Sequence, residues 1–307
     1  MDHYTYNGWQ RRLYRRSFSK IGWALVIYYV LMNAVVIAAA LLSRTPSSEG
    51  WGYIAATAIG LLILLIWKKP RFWKNEIFNQ GKPMSFREFV YILCVFLSGQ
   101  AVYQTVNIAA EMFLNGYGFT MMEGMEAMQV DTDVFTLFFY AGILAPIAEE
   151  IIFRGFVLRS LMPYGKKLAI FGSAFLFGIF HGNLLQSPYA FLVGLVLGYV
   201  AVECSVLWAM VLHMINNLLI SDMLNRLTSG MNEIAAGIVI SGVVWAFTIG
   251  ALVVFARKHR QIRSYLREEV LDKTCLKCFF GNGGVIVLMV LMGLSMIYTC
   301  FILITPL

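Results

Sequence analysis

The chain has 307 residues, of which 59% are hydrophobic and only 13% charged. Soluble domains run at roughly 45–50% apolar and about 25% charged, so an ordinary soluble domain, a disordered chain, a coiled coil and a disulfide-stapled secreted scaffold are all excluded. A net charge of +7 would suit nucleic acid, but the placement of the positive residues decides against it.

The apolar residues fall in blocks close to the ~20 needed to cross a bilayer. In chain order these are residues 21–42, 51–67, 89–114, 134–161, 168–185, 188–203, 206–220, 234–256 and 284–307. They predict an all-α polytopic transmembrane bundle. The count is about 8–9 spans, because several blocks are short and 188–220 can be parsed in more than one way. The first block is too long for a cleavable signal peptide, whose apolar run is about 7–15 residues; it reads as a permanent anchor. The expected organisation is membrane helices and loops over 1–133, a core over 134–222, and further membrane helices over 223–307.

Lys and Arg set the orientation. Segments 11–20, 68–87, 159–167 and 257–277 hold 21 of the 24, while Arg44 and Arg226 fall in loops on the other side and Arg154 lies within a span. The loop 115–133 carries Glu123, Glu126, Asp131 and Asp133 and no base. The positive-inside rule then predicts a cytoplasmic N-terminus and an external C-terminus. The basic surplus speaks for topology and anionic lipid, with no nucleic acid partner. Of the five cysteines, Cys94, Cys204 and Cys300 lie in or beside apolar blocks. Cys275 and Cys278 form one C-x-x-C on the cytoplasmic side, where a structural disulfide is not expected; they read as solvated juxtamembrane thiols. Segments 43–50 and 115–133 read as ordinary outer loops.

An ionisable residue at membrane depth costs roughly 2.5–3.5 kcal/mol on insertion scales, so the fourth block stands out. It contains Glu149, Glu150 and Arg154 within six residues. Glu150 and Arg154 are i,i+4 and can pair on one helix face. Glu149 lies about 100° around from Glu150 and about 140° from Arg154, so it projects elsewhere. The fifth block ends Phe177-Gly-Ile-Phe-His181, and the seventh holds His213-Met-Ile-Asn216-Asn217. Phe177 and His181 share a face, as do His213 and Asn217. Counted from the cytoplasmic block ends, Glu149, His181, His213 and Asn217 lie roughly 12–21 Å deep and can meet in one layer.

A carboxylate beside an imidazole can take a proton from water and aim it at a carbonyl. A second imidazole and a carboxamide can donate to the oxyanion that develops. No Ser or Cys nucleophile stands in this set, so an acyl-enzyme is not indicated. The same residues also resemble a His₂Glu zinc set with an open water position.

Glu149-Glu150-x-x-x-Arg154, Phe177-x-x-x-His181 and His213-x-x-x-Asn217 together resemble the three signature motifs of the CAAX protease and bacteriocin-processing family of intramembrane glutamate endopeptidases, also called the Abi family. Phe153-Arg154-Gly155, Phe177-Gly178 and Gly194-x-x-x-Gly198 resemble it too, and the likeness spans residues 140–220, about a quarter of the chain. The resemblance implies Glu149 as general base, His181 as its partner in orienting water, His213 and Asn217 as oxyanion donors, and Glu150 with Arg154 as a structural ion pair. It implies a peptide or lipidated-protein substrate, no cofactor and no metal, with zinc as the open alternative. The expected setting is a multi-pass protein of a bacterial cell membrane, acting in peptide or protein maturation or bacteriocin self-immunity. A reading from another class is a non-catalytic immunity or scaffold protein, or a proton-coupled transporter.

Overall fold

The computed structural model describes residues 3–42, 49–77, 81–127 and 134–307. Arg44, Asp131 and Asp133 lie outside the described residues, as does the side chain of Glu126. Nine apolar helices form the bundle among the described residues. They are α1 (His3–Leu42), α2 (Glu49–Trp67), α3 (Phe86–Asn115), α4 (Phe135–Tyr164), α5 (Lys166–Phe180), α6 (Gln186–Glu203), α7 (Val206–Thr228), α8 (Glu233–Arg267) and α9 (Gly283–Leu303). Each coincides with one of the nine blocks. Eight of them are long and apolar enough to cross a membrane. The 15-residue α5 would reach only about 22 Å, and it sits instead in the packed centre against α4 and α6. The bundle's outer face shows large apolar side chains such as Ile66, Trp245 and Leu294, as a surface solvated by acyl chains should.

Some expectations need correction. The fifth block runs to 185 in sequence, but α5 stops at Phe180, with His181 as its C-cap and Gly182 at φ +59°. A left-handed residue after the cap ends the helix, and glycine takes that conformation without a Cβ penalty. The ninth block continues to 307, but α9 ends at Leu303 and gives way to a short strand β2 (Thr305–Pro306), antiparallel to β1 (Phe119–Thr120). The 115–133 segment is therefore not a plain loop; it also holds a helix, Met122–Ala127. Glu111 fastens it, accepting from Thr120 Oγ1 at 2.6 Å and from the Met121 amide at 3.0 Å. Cys275 and Cys278 are not solvated. They are buried on the inner face of a short helix, Lys273–Phe280, packed against α1.

Three features place the site. α4 is not uniformly α-helical: Tyr140–Leu144 and Ile151–Leu158 are π-helical, and the glutamate pair sits on the α-helical turn between them. α7 likewise turns π-helical at Asn216–Met223. π segments are uncommon and concentrate at functional sites. The π stretches of α4 and α7 pack on each other, and Gly142 permits it, because a Cβ there would meet the Leu218 side chain at 2.5 Å. On the other side, Gly194 of α6 lies against Ala174 and Phe177 of α5. Small residues of this kind let membrane helices approach closely.

Candidate active site

The Glu150 carboxylate and Arg154 guanidinium are both fully buried and 2.9 Å apart. Arg154 Nη2 donates to the Gly194 carbonyl at 3.2 Å, tying α4 to α6. The same Glu150 oxygen accepts from His213 Nδ1 at 2.9 Å. A carboxylate already paired with Arg154 accepts, so His213 carries its proton on Nδ1 and turns Nε2 outward. That nitrogen lies 3.7 Å from Glu149 Oε2, a gap a bridging water can fill. His213 thus links two adjacent glutamates that point different ways. Glu149 keeps 34% of its side chain exposed, whereas Glu150 has none.

His181 is fixed from its own helix. Its Nδ1 is 2.9 Å from the Phe177 carbonyl, which can only accept, so Nε2 is the free acceptor nitrogen. Phe177 lies at the centre of the group. The Arg154 guanidinium stacks 4.3 Å from its ring centroid, and the ring meets His181 edge-on at 4.8 Å and His213 at 5.8 Å. Glu149, His213 and Arg154 all lie within electrostatic reach of His181.

Asn217 lies at the edge of this cluster. Its Nδ2 donates to the Ala141 carbonyl at 2.9 Å, and its Oδ1 accepts from Asn216 Nδ2 at 3.1 Å. One of its two amide hydrogens is therefore committed to α4. Among the described residues, no three His, Cys, Asp or Glu side chains stand where they could share a metal ion. The zinc alternative therefore has no ready-made ligand set among the described residues.

The structure brings Glu149, Glu150, Arg154, His181 and His213 together and sets Asn217 beside them. Around them stand Phe177, which the motifs include, and five residues whose part the motifs did not show. The Phe177 ring separates the two imidazoles. Tyr28 of α1 and Tyr140 of α4 stand within electrostatic reach of Glu149. Gln100, Tyr189 and Asn216 form a buried polar group behind Asn217. The one available signal for Gln100 was an amide at membrane depth in the third block.

Ionisable side chains from three helices thus gather within an apolar bundle. Residues 131–219 match the family model described as Rce1-like, type II CAAX prenyl endopeptidase. That segment contains all seven motif residues, and the match agrees with the resemblance that the motifs carry. No curated protein and no solved structure matches the chain.

Proposed function

We propose that the protein is an intramembrane endopeptidase that hydrolyses a peptide bond with water activated by Glu149. The observation that carries this reading is the division of labour between adjacent glutamates. Glu150 is fully buried, ion-paired with Arg154 and hydrogen-bonded to His213, while Glu149 has no guanidinium partner among the described residues, stands 3.7 Å from His213 Nε2 and keeps 34% of its side chain exposed.

In the proposed step, Glu149 accepts a proton from water held between its carboxylate and His181 Nε2. The water oxygen forms a bond to the scissile carbonyl carbon as the C=O π pair moves onto oxygen. The second amide hydrogen of Asn217 receives that oxyanion, as does His213 in the form that carries a proton on Nε2 as well as on Nδ1. Collapse breaks the C–N bond, and the proton held by Glu149 passes to the departing amine. Every group is a side chain, so the reaction needs no metal. The positive-inside bias supports a cytoplasmic N-terminus and a site opening to the cytoplasm. The family match favours peptides or lipidated proteins as substrates; maturation and bacteriocin self-immunity are the roles in view.

The test is purified protein in detergent with a panel of farnesylated and unlipidated peptides, with and without a strong chelator. Cleavage that persists in chelator and vanishes in Glu149→Gln is the expected result. Stoichiometric zinc, with activity lost on stripping and restored by zinc, overturns the metal-free mechanism. A parent protein that cleaves nothing while Glu149→Gln retains its cellular effect returns the scaffold reading.

A further inference from the structure

We infer that Gln100, Tyr189 and Asn216 are positioning residues that fix which end of the Asn217 carboxamide donates into the site, so that α3 belongs to the machinery although it lies outside the matched segment. This rests on the oxyanion role proposed for Asn217.

The argument runs on donors and acceptors. The Ala141 carbonyl accepts only, so the NH₂ of Asn217 must face it, at 2.9 Å. The Asn217 oxygen then faces Asn216 and takes a hydrogen from its Nδ2 at 3.1 Å. This leaves Asn216 Oδ1 at the far end, where two donors converge: Gln100 Nε2 at 2.9 Å and the Tyr189 hydroxyl at 2.8 Å. Gln100 Nε2 also lies 2.8 Å from the Tyr189 oxygen, so the two acceptors share its hydrogen on that side. The three polar atoms form a closed triangle in which the Tyr189 hydroxyl and Gln100 Nε2 both donate to Asn216 Oδ1. Gln100, Tyr189 and Asn216 are each at least 90% buried, so water does not replace a lost member freely. Turning the Asn217 amide over would set oxygen against the Ala141 oxygen and NH₂ against the Asn216 NH₂. The relay forbids that flip.

Local structure shows how Gln100 reaches in. α3 is interrupted at Ser98, whose hydroxyl turns back to the Val95 carbonyl at 2.7 Å. Gly99 then lets α3 close on α6, since a Cβ there would stand 2.8 Å from Val193 and 3.3 Å from the Tyr189 ring. The Tyr189 ring is held in turn by Tyr103, with centroids 5.5 Å apart.

The experiment is steady-state kinetics of the full-length protein in detergent. The probe is an internally quenched peptide with a farnesylated cysteine followed by three residues, run beside its unlipidated counterpart. Tyr189→Phe and Gln100→Leu should each lower kcat by about 10- to 100-fold, the scale on which small misplacement of a reacting group is felt, with KM and the thermal midpoint near the parent's. In an Asn217→Ala background the same substitutions should have no further effect. Losses that multiply with Asn217→Ala, or Tyr189→Phe and Gln100→Leu variants with full kcat beside an impaired Asn217→Ala, overturn the relay and leave the protease reading standing. An Asn217→Ala variant with full kcat removes the oxyanion role and the relay with it, as does a parent that cleaves neither peptide. Loss of fold in both relay variants makes the cluster structural and overturns the inference.

Discussion

Glu149 and Glu150 are chemically identical neighbours with opposite surroundings, and their substitutions should separate accordingly. Glu149→Gln should retain the parent's thermal midpoint and lose turnover. Arg154→Ala should lower stability by about 3–5 kcal/mol, the usual consequence of leaving one member of a buried ion pair alone. Neutralising both partners, in Arg154→Met with Glu150→Gln, should recover part of that loss. Thermal unfolding in detergent beside peptide turnover checks all three; an unfolded Glu149→Gln with a robust Arg154→Ala would reverse the roles. Asn217→Ala should cost roughly 10²–10³ in kcat with KM little changed, because the bond strengthens only as the oxyanion forms. The Glu150–Arg154 pair was legible in the sequence because it is local, set by helical spacing. The His213 bond to Glu150 joins residues 63 apart and depends on how α4 and α7 pack, which spacing cannot convey. Asn216 was overlooked for the same reason: its role appears only when α3 and α6 are brought beside it.

At the scale of the element, all nine apolar blocks became helices, since block length and apolarity report on the bilayer directly. The π turns left no trace in the sequence. An extra residue per turn has no compositional signature, and angles measured as though α4 and α7 were regular do not see it. Their crossing yields a test. Gly142→Val should force α4 from α7, lowering stability by about 1–3 kcal/mol as overpacked cores do, with activity reduced alongside. Leu218→Ala in the same chain should restore both by removing the obstructing side chain. Thermal midpoints and turnover of the single and double variants decide it. The C-x-x-C was misjudged because its segment was treated as bare juxtamembrane chain. As a short amphipathic helix it turns Cys275, Cys278 and Phe279 inward and its lysines outward. Burial, with Asp272 beside it, pushes the Cys275 thiol up to about 12. The neutral thiol is therefore the form present at pH 7–8, and thiolate gathers only as pH approaches that value. Maleimide should label Cys275 in the folded protein far more slowly than in the denatured chain, as mass spectrometry of timed samples will show.

Across the whole molecule, a cytoplasmic N-terminus with all nine helices crossing would put Leu307 outside. A reporter fused after Leu307 should read external, and a cytoplasmic reading would mean that the short α5 does not cross. The basic end of the bundle also has internal ties. The Glu269 carboxylate, just beyond α8, accepts from the backbone amides of Lys166 and Lys167 at 3.1 and 2.9 Å, capping α5 from another element, and Lys166 pairs with Glu203 at the end of α6. Glu269 lies outside the matched segment, and it is not alone in reaching in. At the opposite end of α5, Thr299 of α9 donates to the Gly182 carbonyl at 3.0 Å, one residue past His181.

Those two ties have a bearing on how such a chain can be cut and joined. The helix presenting His181 is gripped at its start by a carboxylate beyond α8 and at its finish by a hydroxyl on α9, so the motif-bearing core is not a portable cassette. Grafted between the flanking helices of a distant relative, it would keep every signature residue and lose the two fastenings that set the height of His181 in the membrane. Insertion of such a chimera without catalysis, with activity returning once α9 and the 266–272 turn travel with the core, is the behaviour this architecture requires.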